Sequence, residues 1–222
     1  MRPGRIVVIL VALVVAACGG SAAPGSPTPV PETPMPAGTY TSAVFQPAVT
    51  YTLPDGWVLA SDSAGYLQLR PAGQNLLGIH LFRGAVAASQ DPSCPIEPAP
   101  GVGTTSTELV AWIRGLPGLA VSSPAMVTVG GLRGVSIDAG IAADWTASCP
   151  FADGLPTVPL LVEPGTELRW VIAGGERLRL YLLDLPAGGS LIVDIDDFEG
   201  SQIDAFIGQA APVVKSLQFA TE

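Results

Sequence analysis

Short runs of strand-forming residues, separated by turns rich in glycine and proline, fill most of the chain from Gly38 onward. Pro54-Asp55-Gly56 is a strong turn signal between two such runs, and Gly130-Gly131 supplies the positive φ that a tight hairpin needs. Because the links are short, neighbouring strands are expected to be antiparallel. The predicted strands are 45–53, the run that opens at Trp57, 66–70, 76–82, the arms of the hairpin 126–137, 168–172, 177–185 and 191–195.

Two segments carry helical rather than strand periodicity. Thr105-Ser106-Thr107-Glu108 has the pattern of a capping box, and the apolar stripe behind it ends before Pro117. A second stripe begins at Ser201 and contains Pro212, which is expected to kink that helix. The sequence therefore predicts an α+β fold, in which a single antiparallel sheet carries two amphipathic helices packed on it.

The N-terminus has the three parts of an export signal. Arg2 and Arg5 form the positive start, and residues 6–17 form an apolar run of about 12 residues. That run is much shorter than the roughly 20 residues that a membrane-spanning helix needs, which indicates a cleaved signal. Val15-Ala16-Ala17-Cys18 resembles the lipobox of bacterial lipoproteins. The resemblance implies a signal peptide over 1–17 and lipidation of Cys18, while an ordinary secretory signal remains the alternative.

Residues 18–37 are predicted to be the lipidated cysteine followed by a linker. The stretch is dominated by Pro, Gly, Ala, Ser and Thr and has no hydrophobic period, so it cannot bury enough apolar surface to fold. Proline favours an extended spacer of about 3.1 Å per residue. The predicted domain organisation is thus signal 1–17, linker 18–37 and a globular α+β domain over 38–222.

The charge balance limits the partners. Removal of residues 1–17 leaves eight basic against 19 acidic side chains, a formal charge of −11. Such a chain repels phosphate backbones, so nucleic acid is not expected as a partner. Anionic lipid is not attracted either, and the acyl chains on Cys18 are expected to hold the protein at the membrane, because two or three chains suffice where one does not.

Cys94 and Cys149 remain after Cys18 is assigned to lipid, and each is followed by proline in a matching Ser-Cys-Pro context. Two thiols outside the cytoplasm are expected to oxidise, which predicts a disulfide. It would close a loop of about 55 residues and stabilise the fold by up to roughly 4 kcal/mol in the chain-entropy model. A metal site is the poorer alternative, since no further thiol is present, and a redox pair would normally show Cys-x-x-Cys spacing.

Candidates for catalysis and metal binding are few. His80 is the one histidine, and strand alternation places it with Gly78 and Phe82 on one face. The acidic run 194–199 has oxygen ligands that suit calcium but lacks the spacing of a calcium loop. Asp184 and Asp194 could form a glycosidase pair only if neighbouring strands brought them together. No catalytic motif is present, so the prediction is a protein that is not an enzyme and has no metal or cofactor.

The four tryptophans raise the possibility of an aromatic binding surface. Trp112 fits the packed face of the first helix. Trp145, beside the Cys149 loop, is less readily explained by core packing and is the predicted contact for a ligand or partner.

The order of these elements resembles uncharacterised exported lipoproteins of high-GC bacteria and, more distantly, the PsbP/Mog1-like α/β/α sandwich. The resemblance covers most of 39–219 and departs from it in the Pro-rich stretches 91–103 and 150–165. We therefore expect a non-enzymatic domain, anchored by lipid on the extracytoplasmic side of the cell membrane, that contacts another envelope component such as a protein. Alternatives are a binding protein for a small apolar or glycolipid ligand and, less favoured, a hydrolase.

Overall fold

The computed structural model describes residues 33–220, so the predicted signal peptide, Cys18 and most of the linker lie outside the described residues. The helices are α1 (Ser106–Arg114) and α2 (Ile203–Ser216). The strands are β1 (Gly38–Thr41), β2 (Val49–Leu53), β3 (Trp57–Asp62), β4 (Tyr66–Pro71), β5 (Leu77–Arg83), β6 (Val86–Ala87), β7 (Leu119–Val121), β8 (Ala125–Val129), β9 (Leu132–Ile141), β10 (Thr157–Val162), β11 (Arg169–Ala173), β12 (Arg177–Asp184), β13 (Ser190–Asp197) and β14 (Gln218–Phe219).

The strands form three antiparallel sheets, and the prediction of a single sheet was wrong. The large sheet has the order β3-β4-β5-β13-β12-β9-β7, with β8 also paired to β9. Two small sheets have the orders β1-β2-β14 and β11-β10-β6. The short strands of the small sheets gave weak sequence signals, and three of them, β1, β6 and β14, have at most four residues. The α+β class and the antiparallel pairing were predicted correctly.

The large sheet is the middle of three layers. One of its faces, the α2 face, packs against α2 and the β1-β2-β14 sheet through an apolar cluster that includes Leu67, Ile79 and Phe206. The opposite α1 face packs against α1 and the β11-β10-β6 sheet through a second apolar cluster that includes Leu109 and Leu180. Because each strand sends alternate side chains to opposite sides, both faces of the sheet carry apolar residues that pack against a covering layer.

The predicted capping box and hairpin are present. Thr105 caps α1 by accepting a hydrogen bond from the Glu108 N–H, and the Glu108 carboxylate accepts one from the Thr105 N–H. The hairpin of β8 and β9 turns at Gly130-Gly131, where both φ angles are positive. Pro212 lies inside α2, which continues to Ser216.

The Pro-rich stretch 150–165, for which no strand was predicted, contains β10. Pro159 obscured this strand because proline cannot donate to a β ladder. The ladder of β10 with β11 accommodates it through a register shift between Pro159 and Leu161. The Pro159 carbonyl is used by the side chain of Gln90, whose Nε2 donates to it at 2.7 Å.

The predicted disulfide between Cys94 and Cys149 is present, and it spans a sequence separation of 55 residues. It joins the loop that follows β6 to the loop that precedes β10. Within residues 33–220, no helix has both the length and the apolar character needed to cross a bilayer.

Candidate functional site

A cleft of about 370 Å³ lies between β11 and the strands β4, β5 and β13 of the large sheet. Its volume falls in the range of small-molecule sites in proteins. The lining mixes aromatic rings with carboxylates, and its members are Tyr66, Gln68, Asn75, Leu76, Leu77, His80, Arg169, Trp170, Val171, Ala173, Glu176, Asp196 and Phe198.

Strand alternation places the polar residues of the cleft on the α1 face. On β5, His80 points to the cleft, while its neighbours Ile79 and Leu81 enter the apolar cluster on the other side. Gly78 leaves room beside it, because a Cβ at this position would collide with His80 Nε2 and would come within 2.9 Å of Asp196 Oδ1. The glycine therefore permits the imidazole and the carboxylate to meet.

Tyr66, His80 and Asp196 form a hydrogen-bonded chain across three neighbouring strands. His80 Nε2 lies 2.8 Å from Asp196 Oδ1, and His80 Nδ1 lies 2.8 Å from the Tyr66 hydroxyl. The chain is satisfied when Nε2 carries the ring proton and donates it to the carboxylate, while the tyrosine O–H donates to Nδ1. The Trp170 ring covers His80 with a centroid distance of 4.4 Å. These contacts hold the imidazole in one orientation.

The Tyr66 phenol stays protonated. Burial and the carboxylates of Asp196 and Asp194 raise the pKa of Tyr66 above its ordinary value. A phenol that loses its proton only at high pH is a hydrogen-bond donor at neutral pH and a poor nucleophile.

Asp194 lies opposite His80 in the ladder between β13 and β5 and is 0% exposed. Burial, the Asp196 carboxylate and then Glu176 raise the pKa of Asp194 well above its ordinary value, and the Trp170 side chain opposes this rise. The Trp170 indole does not complete a hydrogen bond, because within residues 33–220 both Asp194 oxygens and Trp170 Nε1 are buried without a hydrogen-bond partner. A carboxyl group in this condition costs stability.

Glu176 is the third acidic group of the cluster and is 4% exposed. Its Oε2 accepts a hydrogen bond of 2.9 Å from the Ala173 N–H. Burial, together with the carboxylates of Asp196 and Asp197, raises the pKa of Glu176 to about 8 against the lowering effect of that hydrogen bond. Glu176 is therefore mostly protonated at neutral pH.

The mouth of the cleft carries exposed apolar side chains. Leu76 is 45% exposed and Phe198 is 42% exposed, and the Phe198 N–H donates to the Leu76 carbonyl at 2.9 Å. On the β11 side, the Arg169 guanidinium stacks on the Phe151 ring at 4.0 Å and donates to the Cys94 carbonyl at 2.9 Å. The charge of Arg169 is thus engaged with groups outside the carboxylate cluster.

The structure separates several residues that the sequence suggested as partners. Asp184 lies opposite Ser190 and accepts hydrogen bonds from Ser106 at the start of α1, so it does not pair with Asp194. The acidic residues of the run 194–199 do not converge on one point. Asp194 and Asp196 lie on the α1 face of β13, whereas Asp197 accepts hydrogen bonds from the N–H groups of Glu199 and Gln202. Among residues 33–220, no group of three or more His, Cys, Asp or Glu side chains is arranged to hold a metal ion.

Trp145 is half-buried and packs against the apolar cluster of the α1 face, and its indole N–H donates to the Thr157 carbonyl at 2.9 Å. It does not line the cleft, and its contact with a ligand or partner stays a prediction. Sequence reasoning missed the roles of Tyr66, Glu176 and Trp170. Strand alternation on β4 already places Tyr66 on the face opposite Leu67. The sequence did not show that β5, which carries His80, is the neighbouring strand.

Other depressions on the surface have a different character. A depression of about 600 Å³ on the α2 face is lined by groups that include Asp138, Arg177 and Asp204. Arg177 and Asp204 form an ion pair of 3.8 Å whose side chains are 51% and 88% exposed, so solvent screens them. The cleft beside His80 is distinguished by polar groups that are removed from solvent.

No family model matches the chain, and no curated protein matches it. The chain is distantly similar to several solved structures, including the following three. LpqN of Mycobacterium tuberculosis, described as involved in cell envelope biogenesis, is 16% identical, with 85% of this chain and 90% of that chain covered and a TM-score of 0.39. The cyanobacterial PsbP protein CyanoP of Synechocystis is 11% identical, with 93% and 99% covered and a TM-score of 0.38. A Bacteroides thetaiotaomicron protein is 10% identical, with a TM-score of 0.37; 78% of this chain is covered, and the chain spans about half of that protein, 46%.

Proposed function

We propose that the protein is a non-enzymatic binding domain, anchored by lipid at Cys18 on the extracytoplasmic side of the membrane, that contacts another envelope component through the cleft beside His80. The observation that carries the proposal is the combination of two buried carboxyl groups inside the cleft, Glu176 and Asp196, with exposed apolar side chains at its mouth. Perturbed acidic groups in a cleft are typical of functional sites, and apolar side chains at a rim favour contact with a partner.

The remainder of the proposal rests on the N-terminal sequence. The lipobox-like Val15-Ala16-Ala17-Cys18 supports acylation, and the Pro-rich stretch behind it supports a spacer between membrane and domain. The disulfide supports a location outside the cytoplasm, because structural disulfides persist in oxidising compartments.

The lining of the cleft supports binding over catalysis. Among the described residues that line it there is no serine, cysteine or lysine to serve as a nucleophile. The hydroxyl that reaches the imidazole belongs to Tyr66, whose raised pKa keeps it protonated. The hydroxyl group that is hydrogen-bonded to the imidazole is therefore a poor nucleophile.

Photo-crosslinking in intact cells tests the proposal. A benzophenone amino acid placed at position 198, at the cleft mouth, is expected to give a discrete adduct with an envelope component. The control is the same amino acid at position 126, because Met126 is 81% exposed on β8 and does not line the cleft. We expect the adduct at 198 to be several-fold stronger than any at 126 and to be lost with Cys18→Ser. Equal adducts at both positions, or an adduct at 198 that survives Cys18→Ser unchanged, would contradict the proposal.

A hydrolase is the second candidate, and one observation favours it. Glu176 and Asp196 line one cleft, and Glu176 holds a proton near neutral pH, as a general acid must. A hydrolase of this kind would lose activity as the pH rises through about 8, and Glu176→Gln would abolish the activity. The purified full-length chain can be assayed for this on a panel of chromogenic glycosides, with heat-denatured protein as the blank.

A further inference from the structure

We propose that the cleft binds an organic ammonium group, with Glu176 and Asp196 as its counter-ions and the rings of Trp170 and Tyr66 as its walls. The group could belong to a free amine or to a lysine side chain of the partner, and the chemistry is the same in both cases. This inference rests on the proposed function, since it names what the cleft of that binding domain recognises.

The lining has the two components that recognition of an organic cation requires. Aromatic faces attract cations through the ring quadrupole, and the attraction is strongest where water is excluded. Trp170, Tyr66 and Phe198 supply rings to the cleft, and Glu176 and Asp196 supply carboxyl groups. Both carboxyl groups are less than one-tenth exposed, so a cation beside them would be poorly screened.

Asp194 is an independent observation that points to a positively charged ligand. It is fully buried on the same face of β13 as Asp196, and its electrostatic neighbours Asp196, Glu176 and Trp170 all line the cleft. Within the described chain both of its oxygens lack a hydrogen-bond partner. The raised pKa keeps Asp194 protonated, so it adds negative potential only when a cation beside it favours the ionised form.

Among the described residues that line the cleft, the arginine does not pair with this cluster. Arg169 lines the cleft, but its guanidinium is used by the Cys94 carbonyl and the Phe151 ring. The titratable and charged groups around Glu176 include Asp194, Asp196 and Asp197 from β13, His80 from β5, Tyr66 from β4 and Arg169 from β11.

Binding of the cation is expected to release a proton. Glu176 is mostly protonated at neutral pH because burial raises its pKa to about 8. A positive charge beside it favours the ionised form. At pH 7 the ligand must therefore displace a proton from the cluster, and its affinity should rise with pH up to about 9.

The test uses the full-length chain in a non-ionic detergent without amines, titrated by calorimetry and followed by tryptophan fluorescence. The probes are choline, whose charge does not depend on pH, and its neutral isostere 3,3-dimethyl-1-butanol. Cadaverine and Nα-acetyl-lysine methylamide represent the free amine and the lysine side chain. We expect choline to bind at least about tenfold more tightly than the isostere, which corresponds to the energy of a desolvated contact between a cation and a ring.

The variant Glu176→Gln separates a counter-ion from a structural residue. At pH 9 we expect it to weaken choline binding about tenfold or more, whereas at pH 6, where Glu176 is protonated in the wild type, the two proteins should bind equally. The matched control is Glu97→Gln, because Glu97 is exposed and does not line the cleft. Calorimetry at pH 7 in buffers of different ionisation enthalpy should show proton release by the wild type and less release by Glu176→Gln.

Tighter binding of the lysine derivative than of cadaverine would support the inference with a partner's side chain as the source, and the reverse order would support a free amine. Equal binding of choline and its isostere, no binding of any cation, or an equal effect of Glu176→Gln at pH 6 and pH 9 would overturn the inference. If the cations fail while the adduct at position 198 persists, the proposed function stands without this ligand chemistry. If the cations bind while the adduct is absent, the contact with an envelope component fails instead.

Discussion

The two faces of the large sheet are built from the same strands but carry different chemistry. On the α2 face, β5 and β13 present Leu77, Ile79, Val193 and Ile195 to a continuous apolar cluster. On the α1 face the alternate positions of the same strands present His80, Asp194 and Asp196, along with Phe82 and Ile192. Ionisable groups buried on the α1 face cost stability, and the apolar cluster of the α2 face contains none of them. The α2 face therefore serves the fold, and the polar part of the α1 face is the part on which the proposed recognition depends.

The largest loss of stability is expected from a substitution in the apolar cluster of the α2 face. Phe206 of α2 is 1% exposed and stacks on Trp57 with a centroid distance of 6.1 Å. We expect Phe206→Ala to lower the free energy of unfolding by about 3–5 kcal/mol through lost burial and the cavity left behind. Urea denaturation measures the change. Phe198→Ala is the matched control, because this phenylalanine is at the cleft mouth and 42% exposed, and its loss should have a much smaller effect on stability.

A second prediction concerns the pH dependence that the α1 face adds. The pKa of Glu176 is raised from 4.5 to about 8, so the folded protein binds a proton that the unfolded chain releases between these values. Stability from this group is full below pH 4.5 and falls as the pH rises toward 8, by an amount on the order of a few kcal/mol. Asp194 contributes in the same direction.

We expect Glu176→Gln to flatten this decline in part, because the amide oxygen still accepts the Ala173 N–H but does not ionise. Urea denaturation at intervals between pH 4.5 and 9 measures it, with Glu97→Gln as the control. A decline of the same slope in Glu176→Gln would show that the buried carboxyl of Glu176 does not control it.

The smallest expected effect is at α1, where an exposed cap stabilises the helix that covers the α1 face. Thr105→Ala removes the hydroxyl that accepts the Glu108 N–H, and we expect a loss of about 1 kcal/mol. Thr107→Ala is the control, since Thr107 is an exposed helical position without a capping role, and alanine there should be neutral or slightly stabilising. Thermal unfolding followed by circular dichroism compares the two. Equal losses would indicate that the capping box does not stabilise α1.

Local features of the fold were predictable from the sequence, because their determinants are neighbours in the chain. The capping box at Thr105 and the hairpin at Gly130-Gly131 depend on a few consecutive residues. The disulfide was predicted from the expected extracytoplasmic location and from the matching Ser-Cys-Pro contexts of the two cysteines. The strand β10 was missed because Pro159 is tolerated only through a register shift, which no local pattern reveals.

The cleft was not predictable, because it depends on which strands become neighbours. His80 and Asp196 are 116 residues apart in the chain and meet only because β13 pairs with β5. Alternation placed His80 and Gly78 on one face correctly, yet it could not show that two carboxyl groups would face them. Glu176 lies between β11 and β12, in a turn whose position depends on the packing of two sheets.

The contact between Arg169 and Cys94 gives the disulfide a consequence for the cleft. Arg169 forms part of the cleft wall, and its guanidinium donates to the carbonyl of a half-cystine. The covalent link to Cys149 therefore restrains the loop that steadies this wall. A newly made chain with free thiols lacks that restraint, so under the proposed function we expect the cleft wall to be fully ordered only after the disulfide has formed.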